Sequence, residues 1–207
     1  MFVYALFAAF ALVGIVSLFF AFVMIKQLFT EAKLGGIFRT GVEGEPMTFA
    51  LTDAYFSHYK HLRKVWLQTP NGGTPAYAEQ ILLSSAGIFV ISSFSEKGRI
   101  QNPIDRDWTQ INGKMAKPIA NPFLKNLDAL CTIEDLAMQN GLACPVIYSI
   151  VVCTEQQVFF SENYDLLVPA DEFPSCIKRL SKNRFYSKRK LHKYVQLLEK
   201  NRARKTT

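Results

Sequence analysis

The chain has 207 residues and a formal net charge of +7, which leaves room for one domain of ordinary size and an appendage. Its cysteines show neither a C-x-x-C pair nor the dense spacing of a small secreted disulfide scaffold, which excludes that class of protein. We expect free thiols, most of them buried, at Cys131, Cys144, Cys153 and Cys176.

The first 25 residues, "MFVYALFAAFALVGIVSLFFAFVMI", contain no charged side chain. A helix of that length spans about 36 Å, enough to cross a hydrocarbon core of about 30 Å. No basic residue precedes the run, and the run is longer than the apolar part of a signal peptide. We therefore predict an uncleaved transmembrane helix over 1–25.

The first cations after this run, Lys26 and Lys33, lie on its C-terminal side. By the positive-inside rule, the N-terminus is expected outside and the soluble part in the cytoplasm of a single-pass cell-membrane protein. Residues 26–36 predict a juxtamembrane helix that ends at a hinge formed by Gly35 and Gly36.

The following residues predict, in order, a helix, three strands, a helix and a strand, which is an α/β sandwich with a mixed sheet. Apolar residues on both parities of 88–91 indicate a strand that is covered on both faces. The predicted helices are 44–62 and 121–141, and the predicted strands are 63–69, 77–83, 88–94 and 145–153.

Smaller elements are predicted between and after these. A side strand or short hairpin is expected around Trp108, and "QQVFF" is expected as an antiparallel neighbour of strand 145–153. The apolar positions of helix 121–141 predict its buried face at Leu124, Leu127, Leu130, Ile133, Leu136 and Ala137. A short helix through Leu180 and a basic helix over 187–205 follow.

Five short segments resemble the nuclease-related domain (NERD) family of the PD-(D/E)XK nuclease superfamily, over 41–160. They are "GVEGE" before the first helix, "AEQILLSSAGIFVI" at Ala78 to Ile91, "KGRI", Trp108, and "NPF" at the start of the second helix. The later "SIVVC" resembles the last core strand of the family. The resemblance implies a restriction-endonuclease-like mixed sheet flanked by helices.

In that family, an Asp on the second strand and a Glu-x-Lys at the end of the third hold a Mg²⁺ ion, which needs hard oxygen ligands, and position the attacking water. Carried over to this chain, Glu45 matches the helix glutamate and Glu79 takes the Asp position. Ser92 stands where the Glu is expected and Phe94 where the Lys is expected. A neutral hydroxyl and a phenyl ring cannot do this work, so the resemblance implies a vestigial pocket with no catalytic residue.

Two alternatives keep a role for metal. Glu45 and Glu79 could hold a weak ion, with Mg²⁺ as cofactor only if nuclease activity remains. Lys97 or Glu96 could replace the missing groups from a strand end, although Lys97 lies on the opposite strand parity from Ser92 and Phe94.

The chain beyond Pro174 is strongly basic, with twelve Lys or Arg against one acid, whereas the remainder carries twelve against sixteen. Phe185, Tyr186 and Tyr194 are interleaved with its cations. Such a surface can bind phosphates and stack on bases, lie on anionic lipid, or be solvated only. The candidate binding residues are Lys182, Arg184, Lys188, Arg189, Lys190 and Lys193.

The sequence thus predicts a transmembrane helix (1–25), a juxtamembrane segment (26–36), a NERD-like α/β domain (37–170) and a basic helical tail (171–207). The leading prediction is a non-catalytic, membrane-anchored pseudo-nuclease that binds DNA, RNA or a protein partner. The alternatives are an active metal-dependent nuclease with a relocated motif, and a membrane-surface protein whose tail contacts anionic lipid. The oligomeric state stays open.

Overall fold

The computed structural model describes residues 15–18, 20–22, 24 and 44–203. The chain divides into two compact units, Met1–Val42 and Glu43–Thr207. In the first unit, the described residues are helical. No helix within the ranges that the structure describes is long and apolar enough to cross a bilayer. The other residues of the predicted membrane helix, and all of 26–36, lie outside those ranges.

The second unit is a mixed α/β fold with two mixed sheets and flanking helices, which confirms the predicted fold class at that level. Its helices are α1 (Glu45–Phe56), α2 (Pro122–Gln139), α3 (Phe173–Leu180) and α4 (Lys188–Lys200). Its strands are β1 (Lys60–Leu67), β2 (Ala76–Ser84), β3 (Gly87–Phe94), β4 (Gly98–Gln101), β5 (Trp108–Asn112), β6 (Met115–Ile119), β7 (Ile147–Cys153), β8 (Val158–Phe160) and β9 (Leu167–Pro169).

The main sheet has the strand order β1-β2-β3-β7-β9. Strands β1, β2 and β3 form an antiparallel meander, while β7 runs parallel to β3 and β9 parallel to β7. The β2–β3 turn requires Gly87, which has a φ of 150°. A Cβ at this position would lie 2.9 Å from the Val146 carbonyl oxygen.

Helices cover both faces of this sheet. One face packs against α2 and α4 through a single apolar cluster that includes Ile88, Val90, Ile133 and Leu198. On the other face, Thr52 of α1 bonds Gln80 of β2, and the rings of Phe56 and Phe173 join α1 to α3. Strand β3 is therefore buried on both faces, as the sequence predicted.

The second sheet has the order β6-β5-β4-β8. Strands β5 and β6 form the hairpin predicted around Trp108. The prediction for "QQVFF" is wrong: Val158–Phe160 pairs in parallel with β4 and belongs to this second sheet. Phe160 thereby places its ring 5.8 Å from Trp108, in an aromatic cluster between the two sheets.

Two details of the predicted helices are also wrong. The first helix ends at Phe56 rather than near Leu62, because Leu62 pairs with Ile81 in the sheet and is fully buried there. The helix predicted over 121–141 forms at Pro122–Gln139, but Leu127 on its predicted face is 49% exposed. Asn126 and Thr132 are buried instead.

The basic C-terminal segment is part of the same compact unit. Tyr186, Tyr194, Leu197 and Leu198 belong to the apolar cluster under the main sheet. Beyond α4, Ala203 donates its N–H to the Trp66 carbonyl at 2.8 Å. The segment that we separated as a tail thus supplies one layer of the core. All four thiols are free, with two of them, Cys153 and Cys176, buried.

Candidate functional site: a cleft at the sheet end and a basic surface

Glu79 lies on β2 at the end of the main sheet where β3 finishes, and it is 3% exposed. Both of its carboxylate oxygens accept the backbone N–H of Ser93, at 3.0 and 3.1 Å. Burial raises the pKa of this carboxyl, and the negative charge of Glu45 adds to the rise. Hydrogen bonds from Ser93 and the charge of Lys125 oppose it. The carboxylate that the resemblance predicts as a metal ligand is thus used to join β2 to β3.

Glu45 begins α1 beside the same strand ends. One carboxylate oxygen accepts a hydrogen bond from the Tyr77 hydroxyl at 3.2 Å, and the other forms an ion pair with Lys64. Burial and the neighbouring Glu45 raise the pKa of Tyr77 to about 12. Tyr77 also carries Lys125 over its ring, 5.0 Å from the centroid. The glutamate is therefore neutralised from one side and hydrogen bonded from the other.

Ser92 is 1% exposed and donates its hydroxyl to Asn126 Oδ1 of α2 at 2.7 Å. The amide nitrogen of Asn126 donates in turn to the Ser149 hydroxyl of β7 at 3.0 Å. The network joins β3, α2 and β7, and the Asn126 amide nitrogen also donates to the Val90 and Ile150 carbonyls at 3.4 Å. These hydrogen bonds satisfy the buried side chains of Ser92 and Asn126, which would destabilise the core if they had no partner.

Phe94 is 6% exposed and packs between the two sheets. Its ring lies 5.1 Å from Trp108 and 5.6 Å from Phe160, in tilted or edge-on geometries that aromatic rings favour. The position at which the resemblance predicts a lysine is thus part of an apolar core in this chain.

A cleft of about 220 Å³ lies beside these positions. It is lined by Ser92, Ser93, Phe94, Ser95, Glu96, Ile119, Ala120, Pro122 and Lys125. Neither Glu45 nor Glu79 belongs to that lining. The four carried-over positions gather at one end of the sheet, but they do not converge on the cleft as ligands of one ion.

The residues at this end do not fit a Mg²⁺ ion. The ion is usually held by one or two carboxylates whose oxygens are free to coordinate it. Here one carboxylate accepts the Ser93 backbone N–H on both oxygens, the other pairs with a lysine, and the two remaining positions offer no charge. Within 44–203 no three His, Cys, Asp or Glu side chains cluster as metal ligands.

The relocated-motif alternative depends on Glu96 or Lys97, and the structure places only one of these two side chains at the cleft. Glu96 lines the cleft, whereas Lys97 lies 3.3 Å from Glu155 and outside the lining. The lysine that reaches the cleft is Lys125, on α2, which sequence reasoning missed. No sequence signal marks it, because its link to Tyr77 exists only once α2 is packed beside β2.

The second candidate site is the predicted cation cluster, which we call the basic surface. Five of its cations are exposed, and Lys190 is half-buried over the Tyr186 ring at 5.0 Å. Within 44–203, no ion pair joins any of the six to an acidic side chain. The basic surface consists of Lys182, Arg184, Lys188, Arg189, Lys190 and Lys193.

The basic surface and the cleft lined by Ser92 and Phe94 lie at opposite ends of the main sheet. The backbone N–H groups of Phe185 and Tyr186 both bond the Ser85 carbonyl, at 2.8 and 2.9 Å, next to the start of β3. Phe94 is the last residue of the same strand. The first and last residues of this eight-residue strand are seven steps apart, about 23 Å, so the two candidate sites are separate.

In comparisons with known proteins, no family model matches the chain, and no curated protein or solved structure matches it significantly. The resemblance to the NERD family therefore rests on the residues quoted above and stays a prediction.

Proposed function

We propose that the chain is a membrane-anchored, single-pass protein with a NERD-like cytoplasmic domain of PD-(D/E)XK type. The domain does not cleave nucleic acid but binds it through the basic surface. In this proposal, the nuclease-like end of the sheet is a structural remnant and the basic surface carries the function.

The main support for the loss of cleavage is that each carried-over position has a structural partner. Glu79 bonds the Ser93 backbone, Glu45 pairs with Lys64, and Ser92 bonds Asn126. Phe94 packs on Trp108. Misplacing a reacting group by about 1 Å already costs on the order of a hundredfold in rate, and here two of the groups are missing altogether.

The strand directions support the resemblance. The antiparallel β1-β2-β3 meander, followed by α2 and by β7 parallel to β3, is the order of elements that the resemblance implies. Helix α1 precedes the meander and packs on the face opposite α2.

The case for nucleic acid rests on the unpaired charge of the basic surface. A surface of six cations with no acidic partner in 44–203 releases counterions when it meets a polyphosphate, which favours binding. Anionic lipid offers phosphates as well, and the experiment below separates the two. The case for an anchor rests on the uncharged run 1–25 and on its exposed apolar side chains, such as Leu18 (73%) and Phe22 (67%).

The test is binding of the full chain, in a neutral detergent, to labelled DNA and RNA over a range of salt. Replacing Lys188, Arg189 and Lys193 with Gln is expected to weaken binding and to reduce the slope of log affinity against log salt by about 2–3. A matched control replaces Arg106, Lys114 and Lys117, which are also exposed and give the same charge change.

The control triple is expected to leave the slope nearly unchanged, because its cations lie on the second sheet and its approaches. Equal losses in the two triples would show a general charge effect and contradict a defined surface. Binding to anionic lipid without binding to either nucleic acid would replace the proposal with the membrane-surface alternative.

A further inference from the structure

One aromatic side chain is displayed among the cations of the basic surface. Phe185 is 46% exposed, the most exposed large apolar side chain of residues 171–203. Of the other two aromatics that the sequence interleaves with the cations, Tyr186 is 5% and Tyr194 0% exposed, and both belong to the core. Only Phe185 is left with a ring face to offer a ligand.

The ring is held on a rigid support. The N–H groups of Phe185 and of Tyr186 share the Ser85 carbonyl in the β2–β3 turn. The Tyr186 hydroxyl accepts the Val146 N–H, and the Tyr186 ring lies 5.1 Å from Tyr194 in the core. Because the backbone that carries Phe185 is fixed in this way, little backbone entropy is lost when a ligand contacts the ring.

Cations lie on both sides of Phe185 in the sequence. Arg184 precedes it, and Lys188 and Arg189 follow at the start of α4. A cleft of about 450 Å³ beside them is lined by Arg189, Lys190, Lys193, Ser187 and the segment Gly141–Ala143. An exposed aromatic ring with phosphate-binding cations within a few residues is the arrangement that binds unpaired nucleotides, the base on the ring and the backbone on the cations.

We propose that the basic surface recognises single-stranded nucleic acid by stacking a base on Phe185. This inference rests on the proposed function and narrows it to a ligand class. A duplex keeps its bases stacked on one another, so it can use the cations but not the ring. An anionic membrane would gain from several exposed apolar side chains, and residues 171–203 display only one large one.

The experiment measures binding of the full chain, in neutral detergent, to a single-stranded oligonucleotide and to the matching duplex. Phe185→Ala is expected to weaken single-strand binding about tenfold, the loss of one base stack, with duplex binding unchanged. Phe185→Leu keeps the apolar bulk without the aromatic face and is expected to lose as much. The control Phe159→Ala removes another exposed ring, 73% exposed on β8, and is expected to change neither affinity.

A second measurement separates stacking from lipid insertion. In Phe185→Trp, the added indole fluorescence is expected to be quenched by the single strand, after subtraction of the wild-type signal from Trp66 and Trp108. A blue shift with anionic lipid and no quenching by the single strand would overturn the inference.

The outcomes also separate this inference from the proposed function. Equal binding of single strand and duplex, both unaffected by Phe185→Ala, would overturn the stacking role alone. Absence of binding to any nucleic acid would overturn both. Loss of affinity in Phe185→Ala with full retention in Phe185→Leu would show an apolar contact instead of base stacking, and so contradict the inference.

Discussion

Both carboxylate oxygens of Glu79 accept the backbone N–H of Ser93, and this joins β2 to the end of β3. A carboxylate used in this way is a structural acceptor. It stands at the position where the resemblance to the nuclease-related family would place a metal ligand, and in this chain its contacts are those of the packed sheet.

The first prediction concerns the pH dependence of stability. Burial raises the folded-state pKa of Glu79 above its ordinary value of 4.5. Its contribution to stability is therefore full below the unfolded-state pKa and is lost as the pH rises through the folded-state pKa. Glu79→Gln keeps an acceptor oxygen but does not ionise. We expect its free energy of unfolding to rise relative to wild type between pH 4 and 8, as measured by denaturant titration.

Glu199→Gln is the control for this effect. Glu199 is exposed, and its hydrogen bond with Lys60 lowers its pKa. Its contribution has the opposite sign, because it is present above the unfolded-state pKa and lost as the pH falls. A Glu79→Gln profile parallel to wild type would show that the carboxyl is not perturbed by burial.

The second prediction compares two phenylalanines. Phe94→Lys restores the residue type of the family motif but places an ammonium in a packed aromatic cluster. We expect it to lower the free energy of unfolding by about 3–5 kcal/mol or more, the usual cost of losing a buried phenyl group. Phe159→Lys makes the same change at an exposed position and is expected to stay within about 0.5 kcal/mol of wild type. Similar values for both would contradict the packing assigned to Phe94.

The third prediction concerns the buried pair of Ser92 and Asn126. Ser92→Ala leaves the Asn126 amide oxygen without its hydroxyl donor, and we expect a loss of about 1–3 kcal/mol. The double variant with Asn126→Ala is expected to be less destabilised than the sum of the two single variants, with a coupling of about 0.5–3 kcal/mol. Strict additivity in the double-mutant cycle would show that the two side chains do not depend on each other.

The fourth prediction concerns the thiols. Cys131 and Cys144 are exposed and are expected to react first with a thiol reagent. Cys153 is 6% exposed, and burial raises its pKa to about 11, so it forms little of the reactive thiolate at neutral pH. Burial also raises the pKa of Cys176. Two thiols should react in the native protein and four in denaturant, and four fast thiols in the native state would contradict this burial.

Much of the main sheet could be predicted because its apolar periodicity is local. The two-face burial of β3 was visible in residues 88–91, and the helix over Pro122–Gln139 in its apolar spacing. The buried face of that helix was harder to predict, because Asn126 is polar. Its burial depends on hydrogen bonds to Ser92 and Ser149. Those partners are 34 and 23 residues away, beyond the range of a helical pattern.

For the candidate sites, too, the sequence predicted the residues but not their contacts. The resemblance identified Glu45, Glu79, Ser92 and Phe94, and they do gather at one end of the sheet. Their actual partners, Lys64, the Ser93 backbone and Trp108, depend on packing. Likewise the sequence interleaved three aromatics with the basic residues, but only the fold distinguishes exposed Phe185 from Tyr186 and Tyr194 in the core.

The most direct test of the central claim is a cleavage assay on the full chain with labelled DNA and RNA, single- and double-stranded, in Mg²⁺ and then in Mn²⁺. The account predicts that bound nucleic acid stays intact with either ion, because Glu79 is bonded to the Ser93 backbone and Glu45 to Lys64 and Tyr77, which leaves neither carboxylate free to hold the metal. Metal-dependent cleavage that Glu79→Ala abolishes would contradict it.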